Sequence, residues 1–378
     1  MRKISLFLLL LIVFLGIFYF IINGINEESV YENETINESN NESNGNTRTM
    51  KILSNYEDSG KECKLIEEVI ERGDCFQTVN EKYLSWYLEQ SKVEFYFPFQ
   101  QDQENWEDVF YYSVDKQDTL EKLNETDYFD DYVDPYGLAD SETNHQRGME
   151  TVQEYWHIFS NMIPQEYRTS LKSVYWTDTG EDLVLGVGRD ETNMQDTVLM
   201  LSHNIGEYHP TNKYTFIHEF AHVLTLNEEQ IKIDEQLYNS EDVTILEDAK
   251  ASCSTHFVTY GWGCMNESSY LNNFYHQFWD DIYGKYNEID WESEDDYKEF
   301  FFAYEDRFFN SYQGTNPEED IAESFTYFVK MDREELEENT QMKYEKINFF
   351  YQYDELVELR TQILENIYDI SIEDGEFY

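Results

Sequence analysis

The chain has 378 residues, enough for one large or two ordinary domains and too many for a disulfide-stapled mini-protein. Its 26 basic and 79 acidic residues leave a net charge of −53, so binding driven by nucleic-acid phosphates or anionic lipid is excluded. Aromatic residues make up 17% of the chain, which supplies too much buriable surface for wholesale disorder. The expected molecule is helix-rich, aromatic-cored and acidic on its surface.

Residues Ile4 to Ile22 form an uncharged apolar run preceded by Arg2 and Lys3. Its length suits a membrane-spanning helix, and the flanking cations favour an N-terminus held inside. Segment 1–23 is therefore read as an uncleaved signal anchor in preference to a cleaved signal. Either way the remainder is exported: membrane-bound, single-pass and extracytoplasmic, or secreted if the signal is removed. Residues 24–50 are rich in Asn, Glu and Ser and cannot bury enough apolar surface to offset ordering, so they read as an acidic tether. The tether carries sequons at Asn33, Asn37 and Asn41, which are either glycosylation sites or a product of its biased composition.

Four cysteines follow: Cys63, Cys75, Cys253 and Cys264. An even count in an exported chain points to two disulfides, and the local pairing 63–75 and 253–264 closes two short loops. No C-x-x-C occurs, which disfavours a thiolate-bound metal.

Residues 51–149 show helical periods in CKLIEEVIERGDC and VNEKYLSWYLEQ and no chemistry-bearing spacing, so a helical N-terminal subdomain is expected. Residues 150–378 read as a second, α+β domain. It opens with an amphipathic helix over 150–167, ending near Pro164. Strand-like runs SLKSVYWTD, EDLVLGVGRDE and DTVLMLSHN come next, then a long helical pattern from about Tyr214. A helical insert over about 228–310 and a C-terminal helix complete the domain.

The chemistry lies in YTFIHEFAHVLTLN. His218 and His222, four apart, share one helical face and can reach one Zn²⁺. Glu219 can address a water bound to that ion as general base. Phe216, Ile217, Phe220, Val223 and Leu224 offer an apolar face that would bury the helix. A third protein ligand is needed. Thr225 and Glu228 stand where a metzincin would have glycine and histidine, so that class is excluded. A downstream glutamate is the remaining common solution. In TNPEEDIAESFTYFV, Asn316 is a candidate N-cap with Pro317 at the first helical position, and Glu319 and Glu323 share a face. By spacing alone this segment is equally an ordinary acidic face, and Glu247 is an alternative ligand. His203 can contact substrate at a strand end or simply be solvated.

HEFAHVLTLN together with TNPEEDIAESFTYFV resembles a group of bacterial extracytoplasmic zinc metallopeptidases of the gluzincin clan. The second segment is similar to the third-ligand helix of lethal-factor-type proteases, N-x-x-E-x-x-A-E-x-F. The resemblance covers about 150–328 and implies a zincin-like domain holding one Zn²⁺. It places Glu319 at the third-ligand position, Glu323 at a supporting position, and Tyr312 where a tyrosine stabilises the oxyanion. The sequence departs from the clan's compact members in the 97-position gap from His222 to Glu319 (319 − 222). The implied activity is a cell-surface zinc-dependent metalloendopeptidase acting on protein or peptide substrates. A substrate strand would pair with an edge within 182–189 or 196–203. The alternative is a catalytically inactive surface protein of the same fold with a binding or structural role.

Overall fold

The structure, a computed structural model, describes residues 54–91, 107–125, 141–178, 185–190, 192–202, 212–238, 243–253, 256–259, 262–291 and 293–373. The expected signal anchor, the acidic tether with its sequons, and His203 lie outside these residues. Among the described residues no helix is long and apolar enough to cross a membrane.

In Leu171–Asp178 the β-branched and aromatic residues Val174, Tyr175, Trp176 and Thr177 favour an extended chain, and this strand lies at the centre of a five-stranded sheet. The strands are β1 (Glu107–Val114), β2 (Leu120–Glu125), β3 (Leu171–Asp178), β4 (Leu185–Asp190) and β5 (Asn193–Ser202), in the order β2-β1-β3-β5-β4. The β3–β5 pair is parallel and the others are antiparallel. The architecture is mixed α+β, as expected.

Two expectations need correction. Residues 51–149 are not purely helical, because β1 and β2 fall within them and β1 pairs with β3. Val109, Phe110 and Tyr112 of β1 are buried with Val174 and Trp176 in one core that also takes in Phe76 and Leu364, so this stretch shares the sheet and core of the rest. The period-two signal in DVFYYSV is short and sits between acidic residues, which hides it. The 228–310 insert is likewise not purely helical. It carries a three-stranded sheet of β6 (Ile231–Ile233), β8 (Gly263–Met265) and β7 (Val258–Thr259), each too short to show alternation. Gly263 permits this pairing: its φ is +139°, and a Cβ there would lie 2.2 Å from the Lys232 carbonyl oxygen.

The helices are α1 (Val69–Ser91), α2 (Ser141–Met162), α3 (Asn212–Thr225), α4 (Val243–Ser252), α5 (Tyr270–Phe278), α6 (Glu294–Ala303), α7 (Pro317–Lys330), α8 (Met342–Phe350) and α9 (Asp354–Glu373), with shorter turns between them. Helix α2 begins earlier than the apolar period suggested but ends ahead of Pro164, as read. Asn80 of α1 donates to the Leu364 carbonyl of α9, and Asp74 accepts from Arg360, so α1 and α9 are tied together. Both disulfides form as expected, Cys63–Cys75 and Cys253–Cys264, with Cα separations of 5.6 and 5.7 Å. The second fastens the residue just past the end of α4 to β8 inside the insert.

Candidate metal centre

Helix α3 is buried from Phe216 to Leu226, so its polar residues are enclosed rather than displayed. His218, Glu219 and His222 are 6%, 8% and 9% exposed. Arg189 of β4 donates to the Leu226 carbonyl just past the end of α3 and stacks 4.3 Å over the Trp262 ring. That contact fixes α3 against the edge of the sheet, since a cation suits the negative end of a helix.

Helix α7 begins as its sequence predicted. The Asn316 side chain accepts from the Glu319 N–H at 2.8 Å, Pro317 opens the first turn, and three acids follow. Ile321, Ala322, Phe325 and Phe328 are fully buried, which sets the rotation of α7 and turns Glu319 and Glu323 towards α3.

Three donor atoms then converge. His218 Nε2 lies 3.0 Å from Glu319 Oε2, His222 Nε2 lies 3.3 Å from the same oxygen, and the two Nε2 atoms are 3.2 Å apart. For a tetrahedral ion bound at 2.0–2.1 Å the ligand atoms should stand about 3.3 Å from one another. The triangle matches that spacing. The residues therefore fit a bound metal ion, and this His218, His222 and Glu319 group can hold one.

Glu323 does not join the triangle. Its Oε1 lies 2.9 Å from His218 Nδ1 on the far side of the ring, and its Oε2 accepts from Asn310 Nδ2 at 2.9 Å. A carboxylate on Nδ1 holds the tautomer that leaves Nε2 as an acceptor, an arrangement common behind metal-bound histidines. Tyr312 lies on the opposite flank, with its ring centroid 5.7 Å from that of His218 and its phenol close enough to the Glu319 and Glu219 carboxylates to feel their charge. Glu247 sits on α4, and its side chain is outside those described.

The electrostatics follow from enclosing three carboxylates with two imidazoles. Burial raises the Glu219 pKa, and the two imidazoles only partly offset it. Burial also opposes ionisation of Glu319 and Glu323, but His222 and His218 outweigh it at Glu319, and His218 with the Asn310 amide outweighs it at Glu323, so both carboxyls stay below their ordinary range. Burial lowers the His218 pKa, while hydrogen bonds to Glu319 and Glu323 overcome this and raise it well above 6.5. Burial and the nearby Glu319 and Glu219 charges push the Tyr312 phenol well above 10, so it stays a donor.

Compared with protein-family models, curated proteins and solved structures, the chain matches none of them.

Sequence reasoning missed the residues behind the centre. Asp320 is fully buried and accepts from Lys346 Nζ at 2.6 Å and from Trp279 Nε1 at 2.7 Å. Asn310 and Gln313 shape the loop that carries Tyr312. No spacing signal marks them: the Asp320 partners Lys346 and Trp279 lie 26 and 41 positions away, and the Asn310 and Gln313 contacts belong to an irregular loop with no period to read.

Proposed function

We propose that this chain is a zinc-dependent metalloendopeptidase of the gluzincin type, a zincin-like domain held at the cell surface by its N-terminal apolar segment. The observation that carries this reading is the Nε2, Nε2, Oε2 triangle with Glu219 one residue along the same helix. Two imidazoles and one carboxylate form the nitrogen and oxygen donor set that suits zinc with an open fourth position. A zinc ion held there would supply Lewis acidity towards a carbonyl and towards water.

The chain's own groups do the remaining work. Glu219 takes a proton from the attacking water and delivers it to the leaving amine. Its raised pKa suits both directions of transfer. Tyr312, kept protonated, donates its hydroxyl to the oxyanion that forms on the substrate carbonyl. Glu323 holds the His218 ring in orientation through Nδ1. Of the two candidate strands for substrate pairing, β5 is excluded, since it bonds β3 on one side and β4 on the other. β4 is at the edge among the described strands and adjoins α3, so an extended peptide pairs there.

The test is zinc content and peptide-library cleavage by the full chain, beside its Glu219→Gln variant. One zinc per chain with cleavage lost in the variant supports the reading. One zinc per chain with no cleavage of any peptide points to the binding or structural alternative. No zinc at all removes both.

A further inference from the structure

The loop between α6 and α7 carries Tyr312, and one side chain in it makes two hydrogen bonds that no motif assigns. Asn310 Nδ2 donates to Glu323 Oε2 at 2.9 Å, and Asn310 Oδ1 accepts from the Gln313 backbone N–H at 2.8 Å. These partners fix the orientation of the amide: a carboxylate oxygen takes only a donor, and a backbone N–H takes only an acceptor. Asn310 is thus the junction between the loop that presents Tyr312 and the carboxylate that orients His218.

The junction rests on a rigid base. Gln313 Oε1 accepts from the Phe309 N–H at 2.6 Å, and Gln313 Nε2 donates to Ser324 Oγ at 2.9 Å, which fixes the loop to α7 from below. Lys346 Nζ donates to the Arg307 carbonyl at 2.7 Å and holds the loop's entry. With both ends held, the Asn310 amide has little freedom to follow Glu323 if that carboxylate turns. An amide so placed fixes Glu323, and Glu323 in turn fixes which His218 nitrogen faces the centre.

We infer that Asn310 is a positioning residue of the metal centre, acting through Glu323 on His218 and coupling the ring's orientation to the Tyr312 loop. The inference rests on reading His218, His222 and Glu319 as a metal centre. It does not follow from the HExxH segment or the downstream glutamates, since Asn310 lies outside both.

Two substitutions separate positioning from loop support. Asn310→Ala removes every contact. Asn310→Asp keeps the acceptor that holds the Gln313 N–H, and so keeps the loop turn, but replaces the donor to Glu323 by an acceptor. The added negative charge would by itself strengthen binding of a dication, so a loss of affinity in this variant comes from the lost donor. The measurement is Zn²⁺ affinity of the full chain at pH 8 by competition with a chelating dye, with the visible spectrum of the Co²⁺-substituted protein as readout of ligand geometry. Both variants should bind Zn²⁺ about 10–100-fold more weakly than wild type, with altered cobalt bands. Far-UV circular dichroism should show that Asn310→Asp keeps the wild-type fold. Wild-type affinity and an unchanged cobalt spectrum in Asn310→Asp overturn the positioning role and leave the metal centre standing. Failure of the wild type to take up one Zn²⁺ per chain overturns the metal reading itself, before any variant is made.

Discussion

Phe220 of α3 and Phe325 of α7 meet edge to face, with ring centroids 6.0 Å apart and planes at 66°. Both rings are fully buried, in the same α3–α7 interface that brings His218 and His222 against Glu319. This contact explains how ligand candidates 97 positions apart come together: the apolar packing registers the two helices, and the polar side chains beside it then meet. Phe325→Ala should cost about 3–5 kcal/mol of stability, as expected for truncating a packed aromatic, whereas Phe325→Leu should cost much less. Urea unfolding of the two variants checks this. Equal small losses in both would mean the helices are registered by something else.

Glu219→Gln should retain one Zn²⁺ per chain and lower turnover by about 10²–10⁴-fold, because the donor triangle is untouched and only the base is lost. Removing the metal with a chelator should abolish wild-type cleavage, and Zn²⁺ should restore it. Near-wild-type turnover by the variant would sink the general-base role.

What the sequence made legible was local. The histidine pair is an i, i+4 pattern, the cap of α7 is a four-residue signature, and the short disulfide loops point to their own pairing. Each of these is written within about a dozen residues, so spacing alone reveals it. The missed features depend on partners far along the chain. Lys346 sits in MKYEKINFF, where it reads as a solvated lysine, yet it is fully buried against Asp320, with the Trp279 indole donating to that same carboxylate. The strand β1 was obscured for a related reason: its register is set by β3, more than fifty residues on, and little within β1 itself announces it.

Glu319→Ala should lose most Zn²⁺ affinity while the domain stays folded, since the residue contributes a donor atom and little packing. Glu323→Ala should cost less, on the order of 10–100-fold, because it acts on His218 from behind. Glu247→Ala should leave the metal bound. Dye competition on the three variants ranks them, and full Zn²⁺ occupancy in Glu319→Ala would reassign the third ligand.

Alkaline pH should unfold the protein sharply. Burial holds the phenols of Tyr56, Tyr155 and Tyr297 above their ordinary value of 10. Below pH 10 both folded and unfolded chains keep these protons and nothing changes. Above pH 10 the unfolded chain releases them while the folded chain does not, so stability falls by about 1.4 kcal/mol per pH unit for each phenol. Urea midpoints between pH 8 and pH 11 measure the decline, and Tyr155→Phe should flatten it. An unchanged slope in that variant would exclude the contribution of this phenol.

The Asp320–Lys346 pair offers the sharpest test of how the centre is supported. Both side chains are wholly buried and 2.6 Å apart, and Asp320 directly follows Glu319 on α7. Burial pushes the Lys346 ammonium down to about 8 and raises the Asp320 carboxyl, so each charge depends on the other. Lys346→Met strands the carboxylate on neutral donors such as the Trp279 indole and the Ser324 hydroxyl, and should cost about 3–5 kcal/mol. The double variant Asp320→Asn with Lys346→Met removes both charges and keeps an amide that can accept from the indole, so it should recover most of that loss. A double variant as unstable as Lys346→Met alone would show that the Lys346 hydrogen bond to Arg307, not the ion pair, is what holds this part of the fold.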